Sequence, residues 1–204
     1  MKIAVFNPSS GISGNMILGA LLDNGLALDD LVSGLRVLPV SGWEIVASTV
    51  KRGGLQGTHV EVVIPEEHKH RHLSDIVDII EPSSLPAPVK TAALNAFELL
   101  ASAEAAAHGI SVEEVHFHEV GALDAIIDIV GVCAGLAALG ISQLYASGAP
   151  LGEGWTNSAH GRIPLPAPAT LALLTAANAP TRPAPGPGEL VTPTGAAILA
   201  ELAI

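Results

Sequence analysis

The spacing of apolar residues along the chain predicts an alternation of strands and helices. Lys2–Phe6 is a short apolar run, typical of a buried strand, and a turn rich in small residues follows it. Helical spacing punctuated by glycine and proline predicts helices over about 15–24, 29–38, 74–81, 86–108, 119–139, 170–177 and 193–204. Ser74 is the predicted N-cap of the third of these helices. The remaining predicted strands are 43–50, 58–64 and 142–146.

Several segments between these elements are predicted loops. The hairpin formed by 43–50 and 58–64 has a glycine-rich connection that is longer than a tight turn. The segment 66–72 interrupts all apolar periodicity, 148–168 is rich in Gly and Pro, and the prolines of 180–188 predict an extended surface loop. Strands that alternate with helices indicate an α/β or α+β fold. We therefore expect a single domain over 1–204, in which a mixed sheet is packed by several Ala/Leu-rich helices.

Composition narrows the possible functions. Of the 204 residues 49% are hydrophobic but only 3% aromatic, so small aliphatic side chains must form the core. Nine basic and 20 acidic residues give a net charge of −11. Polynucleotide binding needs clustered positive charge, and Lys51-Arg52 is the only adjacent basic pair, so no nucleic acid partner is expected. Eight histidines in an acidic chain suit a cation instead.

The same composition bears on compartment and membrane association. The longest apolar stretch, 125–141, is shorter than the roughly 20 residues that span a bilayer. Cys133 is the single cysteine and cannot form an internal disulfide, which fits a reducing compartment. The apolar residues Ile3–Phe6 are too short a run for a signal peptide. We therefore expect a cytoplasmic protein with no membrane partner.

Two histidine clusters are candidate metal ligands. The first is His68-x-His70-x-His72, in which an extended backbone would point all three imidazoles the same way. Neutral imidazole suits zinc, copper, iron and nickel. A solvated loop that binds metal only incidentally is the alternative reading of this cluster. The second cluster is His116-Phe117-His118-Glu119.

Two carboxylates follow the second cluster on the predicted helix. Asp124 and Asp128 are four residues apart, so they share one helical face within an otherwise apolar sequence. Buried carboxylates require a cation, an arginine or a proton. Asp124 and Asp128 are therefore candidate metal ligands, unless the helix is half exposed and both simply face solvent. His160, in a Ser-Ala-His-Gly segment, is a further candidate ligand or base.

Two predicted helix starts could hold an anion, because a helix N-terminus presents free backbone N–H groups. One is the turn between the first strand and the first helix, and the other begins the last helix. An ordinary tight turn and simple helix capping explain these residues equally well. The candidate anion-binding residues are Ser10, Gly11, Ser13 and Gly14 in the first segment, and Thr192, Thr194 and Gly195 in the second.

Five segments, taken together, resemble the LarC family, the nickel-insertion proteins of nickel-pincer cofactor biosynthesis. They follow the order of the family and cover nearly the whole chain. The HFHEVGA…D and VTPTGAA stretches within them are quite specific. Asn7 and Asn15 depart from the pattern, since the family typically has Asp at both positions. The segments are SGISGNMILGALLDNG, EEHKHRHLSDI, VEEVHFHEVGALDAIIDIVG, AHGRIPLPAPATLALL and GELVTPTGAAIL.

The resemblance implies a CTP-dependent nickel chelatase of the lyase class. Its substrates would be Ni(II) and pyridinium-3,5-bisthiocarboxylic acid mononucleotide, and CTP would be hydrolysed with Mn or Mg. It also implies a carboxy-terminal CTP-associated domain or subunit beyond 1–204, and we expect a homo-oligomer. Such a chemistry also needs a base for the proton of the ring carbon that is metallated.

On this interpretation each candidate residue has a role. His68, His70 and His72 collect the ion, His116, His118 and Glu119 hold it, and Asp124 and Asp128 complete the site. Either His118 or Glu119 is the base, and the two helix starts hold the phosphate of the mononucleotide. Two other functions stay open: a metal-dependent hydrolase of a phosphorylated small molecule, and a non-catalytic partner subunit.

Overall fold

A computed structural model describes residues 1–64, 71–117, 122–158 and 161–204. Several candidate residues lie outside this part of the chain, so their predicted roles stay predictions. They are His68 and His70 of the first cluster, His118 and Glu119 of the second, and His160.

The described helices confirm most of the helical periodicity in the sequence. A short 3₁₀ turn at Val112–Glu114 precedes the segment that contains His116. The helices are α1 (Gly14–Asp23), α2 (Leu28–Leu35), α3 (Leu73–Ile80), α4 (Ala87–His108), α5 (Leu123–Ala138), α6 (Pro168–Ala176) and α7 (Pro193–Leu202). The strands are β1 (Lys2–Phe6), β2 (Glu44–Arg52), β3 (Leu55–Val63), β4 (Ile141–Ala146), β5 (Ala149–Pro150), β6 (Gly154–Ser158), β7 (Gly161–Leu165) and β8 (Thr181–Arg182).

The strands of the described residues form four two-stranded sheets. β1 pairs with β4 and β5 with β8 in parallel, whereas β2 pairs with β3 and β6 with β7 in antiparallel. The mixed α/β class predicted from the sequence is confirmed. Its mixed character lies in separate pairs rather than in one continuous sheet.

Two local predictions, on the β2–β3 connection and on the N-cap of α3, need correction. The β2–β3 connection is a tight turn, because Arg52 pairs with Leu55 and only Gly53 (φ +56°) and Gly54 (φ +83°) lie between them. Two consecutive positive φ angles match the twist of a hairpin and favour glycine. The third helix has His72 rather than Ser74 as its N-cap, since the Asp75 carboxylate accepts from the His72 backbone N–H at 2.8 Å.

The first strand is not buried as its apolar sequence predicted. Ile3 is 54% exposed and Val5 is 65% exposed. Within the described residues β1 has a strand partner on one edge only, which is β4. The apolar sequence of Lys2–Phe6 predicted a strand correctly. Whether that strand is buried, however, depends on which other elements cover it.

Helices α4 and α5 lie in the centre of the hydrophobic core. Phe97 of α4 is fully buried and meets the ring of Phe117 edge to face, with 6.5 Å between centroids. On α5, Gly135 lets the helix approach Leu21 and Leu26, since a Cβ there would lie 2.9 Å from each side chain. The core thus holds α5, and with it Asp124 and Asp128, against α1 and α4.

No helix among the described residues is long and apolar enough to cross a membrane.

Candidate functional site

A cavity of about 500 Å³ lies where the starts of α5 and α7 meet the β6–β7 hairpin. This volume is within the range of about 300–1,000 Å³ that is typical of small-molecule sites. A smaller cavity of about 290 Å³ adjoins it and reaches α1 and β3. Four predicted site residues line both cavities: Asp124, Asp128, Thr192 and Thr194.

The two carboxylates of α5 occupy different depths of the site. Asp124 is exposed, and its carboxylate accepts the N–H of Ala125 at 2.8 Å. Asp128 lies one turn further along and is half-buried. Its Oδ1 has no hydrogen-bond partner among the described residues. The structure thus confirms that both carboxylates share one face of the helix. It also shows that one oxygen of Asp128 lacks a described hydrogen-bond donor.

Burial raises the pKa of Asp128 to about 7, and the negative charge of Asp124 adds to this effect. The backbone N–H of Asn15 opposes the shift in pKa by donating to the carboxylate. A carboxyl group with this pKa is only partly ionised near neutral pH. A bound cation would favour the ionised form, which makes the pair a fitting place for a metal ion.

The N-terminus of α1 contacts Asp128 directly. A Cβ on Gly14 would lie 2.6 Å from the Cβ and 2.7 Å from Oδ2 of Asp128, so this approach requires glycine. The Ser13 hydroxyl donates to Oδ1 of Asn15, whose Nδ2 donates to the Val60 carbonyl at 3.2 Å. These bonds tie the first turn of α1 to β3 beside the smaller cavity.

The N-terminus of α7 opens onto both cavities. Thr192 caps the helix, because its Oγ1 accepts the N–H of Gly195 at 3.1 Å and lies 3.0 Å from Oγ1 of Thr194. A Cβ on Gly195 would lie 2.4 Å from the Ile12 carbonyl oxygen. The close packing of the two turns therefore depends on this glycine.

Backbone hydrogen bonds join the two predicted anion-binding segments. The N–H of Ile12 donates to the Leu190 carbonyl at 2.7 Å, and the N–H of Thr192 donates to the Ile12 carbonyl at 3.1 Å. Gly11 is buried here, where a Cβ would lie 2.2 Å from the Leu190 oxygen, so it serves this contact. Ser10 is exposed and lines neither cavity.

The described histidines of the two clusters, His72 and His116, lie in contact. The rings of His72 and His116 have centroids 4.0 Å apart and are tilted by 50°. Nδ1 of His72 lies 3.0 Å from the Val115 carbonyl oxygen, and the Phe117 N–H donates to the Arg71 carbonyl at 3.0 Å. His116 is exposed and lines the larger cavity. His72, the last residue of the first cluster, is therefore connected to this cavity by its contact with His116.

The sequence did not predict several residues of the cavity wall. Thr156, Asn157 and Ser158 of β6 form one side, in a segment whose glycines and prolines predicted only loop. On the opposite side lie Glu104 and His108 of α4, whose side chains approach to 3.5 Å. A glutamate just before α7, Glu189, also lines the cavity.

The described residues do not by themselves form a complete metal centre. Within 1–64, 71–117, 122–158 and 161–204, no three His, Cys, Asp or Glu side chains are grouped so as to hold a metal ion. The predicted ligands inside those ranges come as two adjacent pairs, His72 with His116 and Asp124 with Asp128. The predicted ligands His118 and Glu119 lie in the gap between the pairs along the chain.

An α/β fold with a carboxylate pair, an exposed imidazole and two helix N-termini around two adjoining cavities has the features of a metal-handling protein that also accommodates an anion. Residues 4–204 match the family model described as nickel insertion protein. The chain therefore belongs to the nickel insertion protein family, and the resemblance found in its sequence is confirmed.

Curated relatives match the chain over its full length. A nickel insertion protein homologue from Roseiflexus castenholzii is 56% identical over 202 residues, which are 99% of this chain and 51% of the relative. The pyridinium-3,5-bisthiocarboxylic acid mononucleotide nickel insertion protein of Desulfitobacterium hafniense is 48% identical over 199 residues, 98% of this chain and 49% of that protein. The chain thus spans about half the length of the relatives it matches. No solved structure gives a significant match.

Proposed function

We propose that this chain carries the nickel-binding half of a protein that inserts Ni(II) into pyridinium-3,5-bisthiocarboxylic acid mononucleotide. The observation that carries the proposal is the convergence of Asp124, Asp128, His116 and the start of α7 on one cavity. The name of the Desulfitobacterium hafniense relative supports the choice of substrate.

The proposed metal path runs from the histidine-rich segment to the carboxylates. His68, His70 and His72 collect the ion and pass it to His116, whose ring contacts that of His72. His118 and Glu119 hold the ion with His116, and Asp124 and Asp128 complete the site. Imidazole and carboxylate exchange more readily than thiolate, so the sulfur donors of the mononucleotide can displace them.

The proposed anion subsite is the pair of helix starts. Ser13 and Gly14 stand at the start of α1, and Thr192, Thr194 and Gly195 at the start of α7, so both helices direct a positive dipole end toward the cavities. Asp128 lies beside the same N–H groups and would repel a phosphate. A cation held by the carboxylates removes this repulsion, which makes metal and mononucleotide binding mutually supportive. Ser10 and Gly11 belong to this subsite in our proposal through the turn they form, although neither lines the two cavities.

The proposed chemistry forms a nickel–carbon bond and releases a proton from the ring carbon. His118 or Glu119 takes that proton, and the two sulfur donors of the substrate replace protein ligands. CTP hydrolysis with Mn or Mg, and with it the lyase class, belongs in this proposal to the second half of the longer relatives or to a separate subunit. We place the reaction in the cytoplasm.

Calorimetric titration of metal-free chain with Ni(II) tests the proposal. We expect stoichiometric binding that weakens at least about tenfold in His116→Ala and in Asp124→Asn/Asp128→Asn. His59→Ala is the matched control, because His59 lies half-buried on β3 outside the cavities and should leave binding unchanged. Equal binding by all variants would contradict the proposed site.

A turnover assay separates this function from its main competitor. The chain alone, supplied with Mn or Zn and a phosphorylated pyridinium substrate, should release no phosphate. Sustained phosphate release that stops in Asp124→Asn/Asp128→Asn would favour a metal-dependent hydrolase instead.

A further inference from the structure

Two ionisable side chains at the end of α4 line the larger cavity and have no role in the proposed function. Glu104 and His108 are four residues apart, so they share one face of the helix. They are the only ionisable residues between Leu100 and Gly109, where the others are Ser102 and alanines. The Glu104 side chain is 20% exposed and that of His108 is 35% exposed. Both side chains are therefore held against the protein rather than extended into solvent.

The two side chains form a carboxylate–imidazole pair. Oε2 of Glu104 lies 3.5 Å from Nε2 of His108. A carboxylate beside Nε2 favours the tautomer that carries its proton on that nitrogen, and Nδ1 is then the nitrogen with the lone pair. Histidines that bind metal ions commonly direct their other ring N–H to a carboxylate, which fixes the tautomer and the orientation of the ring. The pair thus has the arrangement of a metal-binding histidine with its supporting carboxylate.

The charges around the larger cavity favour a cation near this pair. The described residues that line the cavity include four carboxylates and two imidazoles but no lysine or arginine. His108 also lies in the last turn of α4, where the negative end of the helix dipole attracts positive charge. An anion would be repelled here, so a phosphate group does not fit this end of the cavity. The carboxylates are those of Glu104, Asp124, Asp128 and Glu189, and the imidazoles are those of His108 and His116.

We propose that His108, oriented by Glu104, is a further ligand of the nickel ion that the larger cavity holds. The inference rests on the proposed function and extends its ligand set to the end of α4. Imidazole is a good donor for Ni(II). No three metal-binding side chains of the described residues are grouped around one point, so His108 supplies one donor of a set that His116, His118 and Glu119 complete. Glu104 is a positioning residue, since it acts through the ring of His108.

Calorimetric titration of metal-free chain with Ni(II) tests both roles. His108→Ala should weaken binding at least about tenfold. Glu104→Ala should weaken it about tenfold in the wild-type chain and have no further effect in His108→Ala, because Glu104 acts only through that ring. Glu98→Ala is the matched control, since Glu98 is an exposed glutamate of the same helix that lines neither cavity, and it should bind like the wild type. Circular dichroism and the Tm show whether the variants are folded.

X-ray absorption of the chain at one equivalent of Ni(II) gives a readout that loss of a helix-stabilising pair would not change. The number of imidazole ligands on the ion should fall by one in His108→Ala and stay the same in His59→Ala. A folded His108→Ala variant whose affinity or imidazole number equals that of the wild type would overturn the inference. Equal losses from Glu104→Ala with and without His108 would overturn the positioning role.

The same titrations distinguish a failure of this inference from a failure of the proposed function. If His116→Ala weakens Ni(II) binding and a folded His108→Ala does not, the proposed nickel site stands and His108 is no ligand of it. If neither variant changes binding, both proposals are wrong.

Discussion

The imidazole rings of His72 and His116 are in contact with their centroids 4.0 Å apart, although one residue precedes α3 and the other precedes α5. The contact is supported by the backbone, because the Phe117 N–H donates to the Arg71 carbonyl. One described histidine from each of the two clusters therefore contacts the other beside the larger cavity, although the clusters are far apart in the sequence.

The contact between the two rings predicts coupled effects on nickel binding. His72→Ala and His116→Ala should each weaken Ni(II) binding, and the double variant should lose less than the sum of the two free-energy changes, since the residues act on the same ion. Calorimetry of the four proteins closes the double-mutant cycle. Strictly additive losses would mean that the two rings serve separate ions.

The raised pKa of Asp128 predicts a pH-dependent stability. An aspartate in the unfolded chain has a pKa near 3.9, whereas that of Asp128 in the folded protein is about 7. Between these values the folded state holds a proton that the unfolded state has released, so raising the pH favours unfolding. The stabilising contribution of Asp128 is complete below about pH 4 and lost above about pH 7.

Asp128→Asn should remove this dependence. The free energy of unfolding of the variant minus that of the wild type should increase by about 2–4 kcal/mol as the pH is raised from 4 to 8. Urea denaturation at each pH measures this difference. Asp78→Asn, on the exposed side of α3, is the control and should follow the wild type. Saturating Ni(II) should shrink the difference, because a bound cation compensates the ionised carboxylate.

The contact between Gly14 and Asp128 predicts a strong effect of a single methyl group. Gly14→Ala should destabilise the protein by about 1–3 kcal/mol, since its Cβ would overlap the Asp128 side chain. Gly34→Ala, on α2 with nothing within 4 Å of the added Cβ, should be neutral or stabilising by up to about 1 kcal/mol. Thermal unfolding of both variants measures the difference, and similar Tm changes would refute this packing.

The cap of α7 predicts separable effects on folding and on binding. Thr192→Val should cost about 1 kcal/mol of stability, because Gly195 loses its side-chain acceptor, and it should weaken binding of a pyridinium mononucleotide. Thr192→Ser should restore both properties. Thr49→Val, on the exposed side of β2, is the control for the loss of a hydroxyl. Unchanged mononucleotide binding in a folded Thr192→Val chain would argue against a phosphate at this helix start.

The local pattern of the chain predicted its helices closely. Helix α4 was expected over 86–108 and is observed over Ala87–His108, because Pro86 and Gly109 punctuate it. The pairing of Asp124 with Asp128 on one face also followed from a spacing of four residues. Elements with weaker local signals were harder to predict. The segment that forms the β6–β7 hairpin is rich in glycine and proline, so the sequence predicted only a loop there. For the tight Gly53-Gly54 turn the sequence predicted a longer connection.

The sequence by itself determined most of the helices and the family, since helical period and motifs depend on neighbouring residues. Only the tertiary structure decided that the turns at Ile12 and Val191 are bonded together, that His72 contacts His116, and that Oδ1 of Asp128 is enclosed without a described hydrogen-bond partner. It also left β1 exposed on one side. The burial of a residue and the contacts between distant segments depend on how whole elements pack together. Because packing energy is shared among many residues, no local sequence pattern predicts them.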